Sequence, residues 1–87
     1  MEIIIPEKVL ALKDLTMEEK LCFSIIISIC KDGRSCVLSN NDFVNLIGKG
    51  YRCIPRYIGS LERKEYIIIK RASNLRFIGV NNAKYKV

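Results

Sequence analysis

The residues with the most chemistry in this chain are Arg52, Arg56 and Arg63, which fall with Gly59 at steps of four, three and four. Lys49 and Tyr51 stand just before them, and Lys70, Arg71 and Arg76 follow shortly after. A guanidinium is a planar fork of donors that fits phosphate oxygens and guanine edges, and a lysine ammonium is a point charge for phosphate. Upstream, Ser39 and Asn40 open an apolar stretch with helical spacing. Side chains of these types cap a helix, and the N–H groups of a helix start can hold a phosphate. Tyr51 has two readings, packing on the turn or touching a ligand. The chemistry on offer is therefore binding to a polyanion, not bond making.

Catalysis has little to work with. The chain has no histidine, so no Ser-His or Cys-His pair can activate a nucleophile. Gly48-x-Gly50 lacks the third glycine of a dinucleotide fingerprint and follows a helix, not a strand. Glu18-Glu19 reads as a helix start rather than an acid/base pair. The four cysteines, Cys22, Cys30, Cys36 and Cys53, form no C-x-x-C pair. They are expected to be reduced, mostly buried core residues, with no metal and no cofactor. Reduced thiols and the lack of a secretory signal point to the cytoplasm. The apolar run Leu21 to Cys30 is about ten residues, far short of the ~20 needed to span a bilayer, so no membrane partner is expected.

Charge is segregated along the chain. Residues 1–48 carry five Lys/Arg against seven Asp/Glu, whereas residues 49–76 carry eight against two, and Lys84 and Lys86 follow. The formal charge of +6 thus sits on the second half, which is the electrostatic footprint of a nucleic-acid binder.

The elements that must position these residues follow from periodicity. Eighty-seven residues make one small domain, with residues 1–15 as an N-terminal extension and residues 81–87 as a loosely held tail. Pro6 suits the start of a single helical turn over 7–12. Thr16-Met17-Glu18-Glu19 fits a capping box, which predicts a helix over 17–31 with Leu21, Cys22, Ile25, Ile26 and Ile29 as its core stripe, widened by Phe23, Ile27 and Cys30. Gly33 is its expected left-handed cap. Arg34 to Leu38 is short and partly β-branched, suited to a small strand. A helix over 41–47, broken at Gly48-Lys49-Gly50, precedes a second over 51–64 whose apolar face is Ile54, Tyr57, Ile58 and Leu61. Tyr66 to Ile69 and Leu75 to Val80 read as strands about a turn at Ala72-Ser73-Asn74. Two helices joined by a glycine turn form a helix-turn-helix, and a basic hairpin after it is a wing.

The stretch Ile47 to Ile67, IGKGYRCIPRYIGSLERKEYI, resembles without gaps the winged helix-turn-helix consensus, and Leu15 to Leu21 resembles the start of the same domain. The likeness is to DNA-binding domains of plasmid and phage replication initiators and other mobile-element proteins. It implies an α+β fold, a three-helix core with a small antiparallel β-hairpin wing, in which Arg34 to Leu38 supplies a third strand beside the wing. The departures are Gly50 for the usual Ser, Cys53 for Thr, Glu65 for Gly, and Pro55 inside the expected recognition helix. Proline there is expected to delay, shorten or kink the helix and to shift binding toward the wing.

The resemblance and the charge together imply binding of double-stranded DNA through Ser39, Asn40, Lys49, Tyr51, Arg52, Arg56, Arg63, Lys70, Arg71 and Arg76. The roles implied are plasmid or phage replication, transfer as a relaxosome accessory, or transcriptional control, with a second copy or a replication or transfer protein as partner. The alternative is a winged-helix adaptor that docks protein without touching DNA, using the apolar Ile3-Ile4-Ile5 segment.

Overall fold

The computed structural model describes residues 3–48 and 53–86. Lys49, Gly50, Tyr51 and Arg52, which include the end of the expected glycine turn and three of the expected site residues, lie outside the described residues, as do Met1, Glu2 and Val87. The element order is α1 (Glu7–Leu10), α2 (Met17–Cys30), α3 (Asn40–Ile47), α4 (Cys53–Arg63), β1 (Ile67–Ala72) and β2 (Leu75–Val80). The described residues form an α+β arrangement of four helices and an antiparallel hairpin.

Helix α2 is the spine. It begins with the expected capping box: the Glu19 N–H donates to Thr16 Oγ1 at 3.2 Å, and the Thr16 N–H donates to Glu19 Oε1 at 2.7 Å. The widened stripe becomes a continuous run here, because six consecutive residues from Cys22 to Ile27, Ser24 among them, are buried. A helix that is apolar all round is one surrounded by other elements, and α2 packs on α1, α4 and β2. Ser24 sits inside this run at no loss, since its hydroxyl donates to the Lys20 carbonyl at 2.7 Å. The expected outer members Leu21 and Ile29 are only half-buried.

Helix α3 opens one residue earlier than its apolar spacing suggests, because Ser39 and Asp42 form a second capping box. It ends at Gly48, whose φ of 80° is the left-handed turn that glycine adopts without strain. Helix α4 buries Ile54, Ile58 and Leu61, one face at helical spacing. Pro55 is the third residue of α4. The described helix runs past the proline to Arg63 without interruption.

The hairpin turn is tighter than expected. Ala72 belongs to β1, and only Ser73 and Asn74 turn the chain, with φ of 50° and 69°, the paired positive values of the two-residue turn that matches strand twist. Strand pairing runs from Ile67↔Val80 to Ala72↔Leu75. The expected small strand near residues 34–38 is reduced to one bridge, Cys36 with Ile78 on the far edge of β2. Glu65, standing where the resembling family has glycine, takes φ of 67° between α4 and β1.

Both ends of the chain join the core. Val9 is fully buried in the N-terminal extension. The expectation of a loosely held tail fails at Tyr85, which is 8% exposed and sets its ring edge-on to Phe23 at 5.1 Å. Its backbone N–H donates to the Asn81 carbonyl at 2.9 Å. Among the described residues no helix is long and apolar enough to cross a membrane.

Candidate nucleic-acid interface

Helix α4 carries two exposed arginines of the candidate site. With Ile54, Ile58 and Leu61 facing inward, helical geometry turns Arg56, Gly59 and Arg63 outward, and both arginines are exposed. Seven residues at 1.5 Å rise place the two arginines about 10 Å apart along the axis. Gly59 has a local reason. A Cβ there would stand 3.3 Å from Arg63 Nη1, so the guanidinium folds back over the glycine. Arg56 and Arg63 border a shallow groove with Glu18 and Glu19 at the start of α2. Those carboxylates limit how far a polyanion can advance along that side.

The hairpin splits the basic residues that adjoin in sequence. Successive strand residues face opposite ways, so Arg71 shares a face with the buried Ile67 and Ile78, while Lys70 lies on the other face opposite Phe77. Both Lys70 and Arg71 are exposed. Arg71 stands directly across the ladder from Arg76, an unfavourable pairing of like charges.

Arg76 escapes that pairing by reaching to α3. Its Nη1 donates to Asn40 Oδ1 at 2.7 Å and its Nη2 to the Leu38 carbonyl at 2.8 Å, with the guanidinium 6.0 Å above the centre of the Phe43 ring. Asn40 and Arg76, both expected as anion contacts, are brought together here. Each is engaged by the other, and together they fasten the hairpin to the start of α3. The Ser39 hydroxyl is likewise occupied, accepting the Asp42 N–H at 3.2 Å, and the Asp42 carboxylate lies at the same helix end. An acid there already supplies the negative charge that the helix dipole favours, which weakens the expected phosphate seat at Ser39.

Lys64 belongs to the basic segment but acts as a strut. Its ammonium donates to the Asp14 carbonyl and lies 3.4 Å from Glu19 Oε1. Burial pushes the Glu19 carboxyl up, but hydrogen bonds from Ser60, from the Thr16 backbone and from Lys64 outweigh it, and the group ends below its ordinary value. Asp14 is held below its ordinary value chiefly by the Tyr66 hydroxyl, which donates to Oδ1 at 2.7 Å. Tyr66 itself is raised to about 12 by burial and by that same bond. These groups lock α4 and β1 to the loop before α2. Sequence reading missed them because each link joins residues about fifty positions apart.

The cysteines divide by burial. Cys22 and Cys36 are fully buried, and burial raises both thiols, Cys22 to about 12. Cys30 donates to the Ile78 carbonyl at 3.4 Å. Among the described residues no group of three or more Cys, Asp or Glu is placed to hold a metal ion.

No protein-family model, curated protein or solved structure matches the chain.

Proposed function

We propose that this chain is a winged helix-turn-helix protein that binds double-stranded DNA, with α3 and α4 as the helix-turn-helix and β1–β2 as the wing. The observation that carries the reading is α4. It is a short helix with one face buried in the core and an outward face bearing Arg56 and Arg63, set directly after a capped partner helix. The order of elements, the bridge from Cys36 to β2 and the basic hairpin tip fit the same reading.

The chemistry follows from these placements. In a helix-turn-helix the second helix lies in the major groove and presents its early residues to base edges. Pro55 leaves Arg56 in place near the start of α4, so Arg56 is the described residue best set to read a guanine, and Arg63, at the other end, suits phosphate. Lys70 and Arg71 are exposed on the hairpin and meet flanking phosphates or a minor groove. Arg76 and Lys64 hold the frame. Work in plasmid or phage replication, transfer or transcriptional control fits a domain of this kind, and the protein acts without catalysis.

The test is to select bound fragments from replicon DNA and compare Arg56→Ala with Arg71→Ala on the selected site and on random DNA. Truncating a side chain that holds only phosphate weakens all sequences about equally. Truncating one that grips guanine bidentately costs ~1–3 kcal/mol at its own base pair. Loss of discrimination in Arg56→Ala, with uniform weakening in Arg71→Ala, supports the assignment. Failure of the intact chain to retain any duplex DNA at low salt sinks it.

A further inference from the structure

Two of the cysteines meet at one backbone atom. Cys30 is the last residue of α2, and its thiol donates to the Ile78 carbonyl at 3.4 Å. The Cys36 N–H donates to the same oxygen at 2.8 Å. That N–H also lies within hydrogen-bonding reach of the Cys30 sulfur. The two side chains share one side of the sheet. Cys36 and its bridge partner Ile78 are fully buried and so face the core, α2 packs on β2, and Cys30 is partly buried against the same core. Cys30 lies close enough for its charge to raise the Cys36 thiol. Access divides the pair. Cys36 is sealed in the core, whereas Cys30 borders an open groove with Lys31, Arg34 and Gly79. An alkylating reagent therefore has no path to Cys36, but a sulfur already carried on Cys30 does.

We propose that Cys30 and Cys36 are a redox-responsive dithiol pair, which low-molecular-weight disulfides oxidise to an intramolecular disulfide. Cys30, the accessible thiol, reacts first. Its thiolate attacks one sulfur of the small disulfide, forms a mixed disulfide and releases one small thiolate. The Cys36 thiol then gives up its proton and attacks the Cys30 sulfur, and the second small thiolate leaves and is protonated. Two protons and two electrons pass from the pair, and the small disulfide is reduced to two thiols. Burial raises both cysteines above the ordinary thiol value. The thiolate is the attacking form, so the exchange quickens as pH rises above neutral. The new bond joins the end of α2 to the segment bridged to β2 and closes the exposed residues 31–35 into a loop. It stabilises the native chain by restricting the unfolded one.

The test treats the intact, folded chain with oxidised glutathione, traps the remaining thiols with acid and an alkylating reagent, and maps the products by mass spectrometry. Trypsin cuts at Lys31 and Arg34, which lie between the two cysteines, so a bond between them appears as two linked peptides. The expected product is that linked pair, lacking two hydrogens, and dithiothreitol reverses it. Cys36→Ala should stop at a stable mixed disulfide on Cys30. Cys30→Ser should leave Cys36 unmodified over the same time. The wild-type equilibrium in a glutathione redox buffer decides the matter independently of any variant. The constant for forming the bond should be at least about tenfold larger in the folded chain than in urea, which separates a pair held together by the fold from one that meets only on unfolding. A mixed disulfide that persists on Cys30 of the wild type overturns the proposal, as does a bond from Cys30 to a different cysteine. Modification of Cys36 in Cys30→Ser at the wild-type rate, or a constant smaller in the folded chain than in urea, overturns it equally.

Discussion

Replacing Arg76 with Ala separates a structural arginine from a ligand-binding one. The side chain is only partly exposed and makes two charge-assisted hydrogen bonds, to Asn40 and to the Leu38 carbonyl, above the Phe43 ring. Hydrogen bonds of this kind contribute about 1.5–3 kcal/mol each when the acceptor is left without a partner, and an exposed cation–π interaction adds about 0.5–1 kcal/mol. Water reaches part of the site and replaces some of this, so the net loss comes to about 2–3 kcal/mol. For a domain of this size that lowers the melting temperature by about 10–20 °C. Arg71→Ala, on the same strand but exposed, should change stability by no more than about 0.5 kcal/mol. Arg76→Lys should recover little, since an ammonium cannot bridge both acceptors in the guanidinium geometry. Urea unfolding of the three variants is the assay, with DNA affinity measured only where the variant is fully folded. If Arg76→Ala melts within about 2 °C of the wild type and yet loses DNA binding, Arg76 touches the ligand and its role as a fastener is wrong.

Three further outcomes are expected. Gly59→Ala should stabilise the protein by about 0.5–1 kcal/mol, because Gly59 sits inside α4 and, among the described residues, what an added Cβ meets is the far end of the Arg63 side chain; a loss of stability in urea unfolding contradicts this. Stability should hold down to about pH 5 and fall below about pH 4, since Glu19 and Asp14 have lowered folded values, whose contribution is complete above the ordinary carboxylate value and lost as pH falls through the folded one. Tyr66, raised to about 12, gives the opposite limb, full below its ordinary value of 10.0 and lost as pH rises through the folded value; melting curves against pH, with Glu19→Gln flattening the acid limb, check both. Cys22 and Cys36 should react with a thiol reagent only as fast as the protein opens, and a chelator should leave the melting temperature unchanged; rapid native labelling of Cys22 by mass spectrometry refutes the first, and a chelator-induced drop refutes the second.

Local signals in the sequence are legible. Thr16-x-x-Glu19 marks the start of α2, Gly48 marks the end of α3, and Ser73-Asn74 marks the hairpin turn, because capping, left-handed φ and turn type are decided within a few residues. The outward set Arg56, Gly59 and Arg63 is legible for the same reason, since one turn of helix determines its own faces. The second capping box at Ser39 and Asp42 has a signal, Ser-x-x-Asp, of which residue type alone brings out only the Ser39 end. The long-range ties are not legible. Arg76 to Asn40, Lys64 to Asp14, Tyr66 to Asp14 and Tyr85 on Phe23 join residues brought together only by the packing of whole elements. Of the basic residues in the second half, sequence position alone does not separate the struts Lys64 and Arg76 from the exposed Arg56, Arg63, Lys70 and Arg71.

The central claim is DNA binding through that exposed basic set, and the most direct measurement is the salt dependence of affinity for a short duplex. If Arg56, Arg63, Lys70 and Arg71 each neutralise one phosphate, log K should fall against log salt with a slope of about −3.6, at about −0.9 per phosphate. Removing any one of them should reduce the slope by about 0.9, whereas Lys64→Met should leave it unchanged. A chain that binds no duplex at low salt, or whose affinity does not change with salt, contradicts the account.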